Sequence, residues 1–318
     1  MRKSSRFFYI LIFGIMTILV IVNPQKYMEA TLDGFMLFGT KVFPSLFPFF
    51  LLTKILTALG VGSLCSKIFS RPIESLYKTS PLSGYILSIS MISGYPVGAR
   101  LVTDYASNGY LSNDEVKTII SFTSTSGPLF ILGTVGVKML GNYKAGMIIM
   151  ASHFIATILN GLLYRGKSSN NLSILPIEEM PESFINDAIY STITSMLQVG
   201  GSIIFLNLII VVLQDLKVLH FLSHTLNWIG MESIVSEGIS IGLVEITKGV
   251  SIISKAKEIK DIIVPIATII SFGGVSVMLQ SMVFLKQVGI SSRYYLVTKA
   301  SQAILTYFIS SILVALLY

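Results

Sequence analysis

The sequence predicts an all-α polytopic membrane protein with two inverted repeats, each holding a re-entrant helical hairpin and a broken transmembrane helix. Three observations carry this expectation. Charged residues make up 12% of the 318 positions, about half of the roughly 25% usual in soluble domains. Apolar residues make up 53%, the mean hydropathy is +0.76, and apolar runs of helical length follow one another with short polar breaks. Four of those runs are interrupted by Gly, Pro, Ser and Thr, in two pairs that recur in the two halves of the chain. So little charge could not cover a water-soluble body of this size, so lipid must solvate much of the surface. A soluble enzyme, a disordered chain and a coiled coil are excluded. The 23 Lys and Arg outnumber the 16 Asp and Glu. The excess is spread beside the apolar runs, as membrane-flanking charge and not as a nucleic-acid footprint. A single cysteine, Cys65, excludes an intramolecular disulfide and a cysteine-rich metal site.

The elements follow in order. Arg2, Lys3 and Arg6 precede an apolar run at 7–22, which ends Val20-Ile21-Val22-Asn23-Pro24 without the small-x-small site of a cleavable signal. This is read as a retained first helix with its N-terminus cytoplasmic. Residues 30–60 form a long run kinked by Pro44 and Pro48, each of which removes an amide donor. Residues 61–80, with Lys67, Arg71, Pro72, Glu74 and Lys78, read as an interfacial cytoplasmic segment. Residues 83–106 are broken at Ser93-Gly94-Tyr95-Pro96. Ser112 and Glu115 form a capping box for a helix from about 113, broken at Ser124-Thr125-Ser126-Gly127-Pro128 and resumed to about Leu140. A continuous span at 143–164 ends at Arg165 and Lys167. The stretch 166–182 is the most polar in the chain and reads as a linker between an N-terminal half, 1–165, and a C-terminal half, 183–318. Then come a long span at 184–213 containing Gly200-Gly201, an interfacial segment at 217–230, and an apolar segment at 233–256 broken around Glu245-Ile246-Thr247-Lys248-Gly249. A further segment at 260–285 is broken at Ser271-Phe272-Gly273-Gly274-Val275-Ser276, and a final span covers 294–317.

Interrupted segments at corresponding places in two halves point to a transporter binding site near the bilayer midplane. If the first member of each pair is a hairpin and the second a broken span, counting crossings puts the hairpins on opposite sides. Most basic residues then fall inside, and Lys255, Lys257 and Lys260 fall outside, against the usual bias. A broken helix leaves free N–H groups at the start of its second half, where partial positive charge attracts anions. Pro96 and Pro128 suit the first turn of such a half-helix, and Gly94 and Gly127 allow close approach of a ligand. Ser124, Thr125 and Ser126 add hydroxyls, and Tyr95 is either an interfacial anchor or a stacking surface. Arg100, one turn beyond Pro96, could hold a carboxylate bidentately, or could snorkel to the interface near Asp104. In the second half, Glu245 and Thr247 are polar within an apolar stretch, and Ser276 and Gln280 share one helix face after Gly273-Gly274. Ionisable residues at membrane depth are functional candidates by default, though Glu245 could instead pair with Lys248 one turn on. Gly200-Gly201 reads as tight helix packing, and His153 as a satisfied helix-packing histidine. His220 and His224 stand at metal-ligand spacing without a third ligand, so no metal is expected. No nucleophile–base–acid set, Walker loop or dinucleotide fingerprint is present, so no enzymatic activity and no catalytic residues are expected.

Four strings carry a family resemblance: Ser93-Gly94-Tyr95-Pro96-Val97-Gly98-Ala99-Arg100, Ser126-Gly127-Pro128-Leu129-Phe130-Ile131-Leu132-Gly133, Gly242-Leu243-Val244-Glu245-Ile246-Thr247-Lys248-Gly249 and Phe272-Gly273-Gly274-Val275-Ser276-Val277. In content and order they resemble the sporulation integral membrane protein family YlbJ (SpoVV). That family lies in the wider group with nucleoside recognition or Gate domains, which includes concentrative nucleoside transporters. The resemblance implies a concentrative-nucleoside-transporter-like fold and a cell membrane location, in a sporulating cell the outer forespore membrane. It also implies movement of dipicolinate, a rigid aromatic dianion, from mother cell towards forespore.

Three functions compete at this point. The first is transport of a small organic anion, the second is transport of a nucleoside-type neutral solute, and the third is a non-transporting assembly role in spore maturation. Iron transport is a weaker fourth. No cofactor is expected. A coupling ion, H⁺ or Na⁺, is compatible with unwound carbonyls. The expected partners are the small-molecule substrate and the lipid bilayer, without nucleic acid. A homo-oligomer or other sporulation membrane proteins stay open.

Overall fold

The computed structural model describes residues 3–60, 68, 71–166 and 183–318. Arg2, Cys65, Lys67, Lys167 and the linker residues 167–182 lie outside the described residues. Among those described, every regular element is helical. Helix α1 spans Lys3–Val22 and α2 spans Pro24–Leu37, with Pro24 in its first turn. A short π-helical stretch, Phe38–Val42, leads into α3, Phe43–Ala58. The chain bends by 58° here, just where Pro44 removes an amide donor.

Two repeats follow. In the first, α4 (Leu82–Ser93) and α5 (Val97–Ser107) form a hairpin whose tip is Gly94-Tyr95-Pro96. Helix α6 (Asn113–Thr123) starts at the predicted capping box. Ser112 Oγ accepts from Glu115 N–H at 3.3 Å, and Glu115 Oε2 accepts from Ser112 N–H at 3.0 Å. The chain is non-helical at 124–127 and resumes as a π-helical segment, Phe130–Met139. Its wide turns show in Leu140 N–H donating to Val135 C=O, five residues back, at 2.9 Å. Helix α7 (Tyr143–Leu163) closes the repeat. After α8 (Phe184–Asp215) and the short α9 (Val218–Trp228), the same order recurs. Helices α10 (Ser233–Gly242) and α11 (Ile246–Ile253) form the second hairpin. Helices α12 (Ile259–Phe272) and α13 (Gly274–Leu285) form the second broken span, and α14 (Ser292–Leu317) ends the chain. The second break is narrower than the sequence predicts. Only Gly273 interrupts the helix, at φ +82°, and the whole runs from Ile259 to Val288.

Among the described residues, four helices are long and apolar enough to cross a bilayer, and the bent α2–α3 pair makes a fifth if it is counted as one span. Their outer faces carry apolar stripes at helical spacing. On α8 these are Ile185, Ile189, Ile193 and Leu197, and on α14 Ile304, Phe308 and Ile312, all exposed. Exposed rows of this kind are stable only against lipid. The two halves share one interior. Helix α7 packs on both α12 and α14, around a core that includes Ile131, Ile149, Ile263, Ile266 and Ile270.

The arms of the second hairpin meet through glycine. A methyl group on Gly249 would overlap the backbone of Gly242 and Gly238. By contrast, a methyl on Gly201 of α8 would have no atom within 4 Å. Gly249→Ala is therefore expected to lower stability by about 1–3 kcal/mol. Gly201→Ala should be neutral, or stabilising by up to about 1 kcal/mol. Thermal unfolding of the two variants in detergent checks this contrast. Equal shifts would show that the hairpin arms are free to part.

Candidate functional site

Within each repeat the hairpin tip abuts the break in the following helix. In the first repeat, a methyl on Gly94 (φ +74°) would lie 2.5 Å from Gly127 N, so only glycine permits that approach. In the second, Gly274 fits beneath the carbonyls of Gly242 and Leu243. The two tips and the two breaks converge on one cavity of ≈ 70 Å³. From the first half it is lined by Ser93, Gly94, Tyr95, Ser126 and Gly127, and from the second by Glu245, Thr247, Ser276 and Gln280. Apolar residues of α3 and α8, among them Leu46, Phe50 and Val199, cover it.

Eight of the site residues expected from sequence thus share this cavity. The other five do not line it. Pro128, Gly273 and Gly274 sit in the breaks beside it and shape the backbone there. Pro96 and Arg100 line a larger neighbouring cavity of ≈ 350 Å³, which shares Phe50, Ser93, Val199 and Gln280 with the first. Arg100 is exposed there. Its Nε lies 3.6 Å from Asp104 Oδ2, so the interfacial alternative describes its geometry better than a deep one. Lys54, which sequence reasoning passed over as part of a kinked apolar run, lines the same space.

The free half-helix N-termini expected to attract an anion are partly used by the protein itself. Val275 and Ser276, at the start of α13, donate their N–H groups to Leu243 and Val244 C=O in the second tip, at 2.9 and 3.0 Å. Glu245, 2% exposed, caps α11. Its carboxylate accepts from Thr247 N–H at 3.1 Å and Lys248 N–H at 2.7 Å. Glu245 therefore does not pair with the Lys248 ammonium. Lys248 Nζ donates to Asn207 Oδ1 on α8, and Asn207 in turn donates to Ala30 C=O on α2. The helix N-terminus partly offsets the Glu245 carboxylate at the cavity wall.

The first break is held by side chains. His153 of α7 is fully buried. Ser126 N–H donates to its Nε2 at 3.0 Å, with Thr125 Oγ1 2.8 Å away, and its Nδ1 is 2.6 Å from Ser271 Oγ. An N–H donating to Nε2 fixes the neutral tautomer with the proton on Nδ1, which donates to Ser271. His153 therefore ties the break of one repeat to the broken helix of the other, which is more than the packing role its sequence setting suggests. Lys299 of α14, also buried, binds Ser124 C=O and Tyr95 OH behind the first tip. The sequence held one signal for it, a lysine inside the final apolar span, but at that position it reads equally as flanking charge. No group of three or more His, Cys, Asp or Glu able to hold a metal is present among the described residues.

With this geometry in place, known proteins can be compared with it. No family model matches the chain. The curated "Sporulation integral membrane protein YlbJ" of Bacillus subtilis (strain 168) is 26% identical over 320 aligned positions, covering 92% of this chain and 78% of the relative. The chain is similar to this YlbJ protein over most of both lengths. This agrees with the resemblance carried by the four motifs. Among solved structures, an Asn-to-Leu variant of CNTnw in the intermediate 2 state superposes with TM-score 0.64 at 15% identity, covering 99% of this chain and 85% of that one. The same variant in the intermediate 1 state gives 0.63 at 16%, covering 97% and 85%. A doubly substituted CNTnw in an outward-facing state gives 0.56 at 12%, covering 95% and 87%. The fold is that of a concentrative nucleoside transporter, and the chain is an integral membrane protein.

His153→Leu would leave the Ser126 N–H without its partner in the interior and cost the Ser271 hydroxyl one of two, Thr306 Oγ1 remaining at 2.8 Å. A loss of at least about 1–3 kcal/mol is expected, read as a lower melting temperature in detergent. An unchanged melting temperature would show that the bridge between the repeats is dispensable.

Proposed function

We propose that this protein is a membrane transporter of a small organic anion, foremost dipicolinate, moved from mother cell towards forespore across the outer forespore membrane. The solute binds where the broken helices meet, spanning the ≈ 70 Å³ central cavity and the ≈ 350 Å³ cavity that shares four lining residues with it. One observation carries the proposal: both hairpin tips and both breaks, drawn from both halves, converge on a single cavity that mixes apolar walls with convergent polar groups. The transporter fold and the sporulation relative support it. The anionic substrate is supported by charge. Lys54 and Arg100 line the space that adjoins the cavity, together with one acid, Asp104, which pairs with Arg100. The excess there is one positive charge, which raises the local concentration of an anion. The Glu245 charge at the wall is partly offset by two backbone N–H groups.

A second reading rests on Glu245 itself. A buried carboxylate beside Thr247, Ser276 and Gln280 also suits the hydroxyl and amide groups of a neutral nucleoside-type solute. The two readings predict opposite effects of one substitution. For a dianion, Glu245→Gln removes a repulsive charge, so uptake should be kept or raised. For a neutral solute that donates to the carboxylate, uptake should fall about tenfold or more.

The test is uptake of labelled dipicolinate and labelled uridine into proteoliposomes. Saturable dipicolinate uptake is expected, with its half-saturating concentration raised several-fold in Arg100→Ala. Uridine uptake alone, lost in Glu245→Gln, would replace the anion reading with the neutral one. Movement of neither solute by folded protein under imposed ion gradients would overturn both.

A further inference from the structure

Lys299 is a buried ammonium without an acid. It is 2% exposed, and no carboxylate stands within ion-pair distance of it among the described residues. Its three N–H groups are all used. Nζ lies 2.8 Å from Ser124 C=O, 2.7 Å from Tyr95 OH and 2.6 Å from Gln302 Oε1. It also stands 4.8 Å from the centre of the Tyr95 ring, whose face attracts cations. Gln302 is itself held, through Nε2 to Thr157 Oγ1 at 2.7 Å. Burying a cation costs several kcal/mol unless its surroundings compensate. Here the compensation is structural. Ser124 is the residue that ends α6, so its carbonyl belongs to the negative end of a half-helix dipole inside the membrane.

The three oxygens form an unusual set for a lysine: a carbonyl at an unwound helix end, a phenol and an amide. Unwound carbonyls and half-helix C-termini are the groups that hold coupling cations in broken-helix transporters. An ammonium tethered to α14 stands among them.

We propose that Lys299 is a built-in cation that fills, at the C-terminal end of α6, the place a coupling Na⁺ would take, so that the first hairpin tip closes on the break without an ion from solution. Through Tyr95, which lines the central cavity, Lys299 positions one wall of the candidate solute site. It does not itself line that cavity. The proposal deepens the transporter reading, and its first test does not depend on that reading.

The first test is thermal unfolding of the purified protein in detergent at constant ionic strength, with Na⁺ exchanged for choline. The wild type is expected to melt at the same temperature in both salts. Lys299→Ala is expected to melt lower in choline and to be restored, saturably, by Na⁺, because the vacated oxygens can then take a free ion. Saturable stabilisation of the wild type by Na⁺ would overturn the proposal, and so would a folded Lys299→Ala that ignores Na⁺. The second test needs no variant. Wild-type proteoliposomes should take up labelled dipicolinate equally from Na⁺ and choline media, and a requirement for Na⁺ would overturn the proposal. Uptake driven by an inward proton gradient, with that drive lost in Lys299→Arg, would overturn it in favour of Lys299 as a proton carrier.

Discussion

The structure depends on one constraint: backbone that is not hydrogen-bonded within its own helix cannot face lipid. Each unsatisfied N–H or C=O in hydrocarbon costs several kcal/mol. Four interruptions in apolar segments therefore need four sets of partners, and those partners have to be protein. In the second repeat they are main chain at the break, Val275 and Ser276 N–H on the carbonyls of Leu243 and Val244, and one side chain at the tip, the Glu245 carboxylate on Thr247 and Lys248 N–H. In the first they are side chains, His153 on Ser126 N–H and Lys299 on Ser124 C=O. Once every tip is docked on a break and every break is turned inward, the interruptions have to lie together. The cavity at their junction follows from that requirement.

The two repeats meet the same requirement in chemically different ways. The second break is two glycines of positive φ, Gly273 at +82° and Gly274 at +63°, and the helix resumes at Gly274. It needs little besides the tip beneath it. The first break leaves 124–127 outside any helix and resumes with wide π turns, which frees more polar groups. A neutral histidine, a lysine and two tyrosines surround it. Ser124 Oγ lies 2.6 Å from Tyr295 OH, which reaches on to Ser281 of α13 at 3.0 Å. Through His153–Ser271 and Tyr295–Ser281 the first break is fastened to both halves of the second broken helix, so displacement of one repeat strains the other.

Much of this was legible from residue order. Glycine, proline and hydroxyl clusters inside apolar runs marked the first tip and both breaks, because few other residues tolerate those backbone angles. The second tip is Leu243-Val244-Glu245, ending where the expected 245–249 begins. Thr247 and Gly249 lie inside α11, Gly249 being there to let the hairpin arms approach. The capping box at Ser112 and Glu115 marked the start of α6 to the residue. Eight of thirteen candidate residues line one cavity because interruption and cavity share a cause. Other features were hidden for physical reasons. Arg100 lies one turn past a tip by spacing, but spacing does not give depth, and Asp104 one further turn along holds it at an exposed position. The Glu245 carboxylate turns back onto its own helix start, a choice that i,i+3 spacing to Lys248 does not reveal. Lys299 sits near the start of an apolar span, where a snorkelling lysine is common. Only the tertiary fold brings Ser124 and Tyr95 to its ammonium.

The charges around the cavity then form a pattern that bears on what can occupy it. The carboxylate at the second tip is partly offset by the N-terminus of α11, and the lysine behind the first tip lies against the C-terminus of α6. Each of these two half-helix ends near the centre thus carries its own counter-charge, fixed covalently to the fold. A solute entering the cavity meets hydroxyls, an amide and a phenol, with the two strong charges already engaged. Further cationic side chains lie one cavity further out, where Lys54 and Arg100 stand. On the transporter reading proposed above, attraction of an anion and its final binding are separated in space. Lys54 and Arg100 would raise its rate of arrival, and the polar groups at the tips would discriminate against a solute that leaves them unpaired.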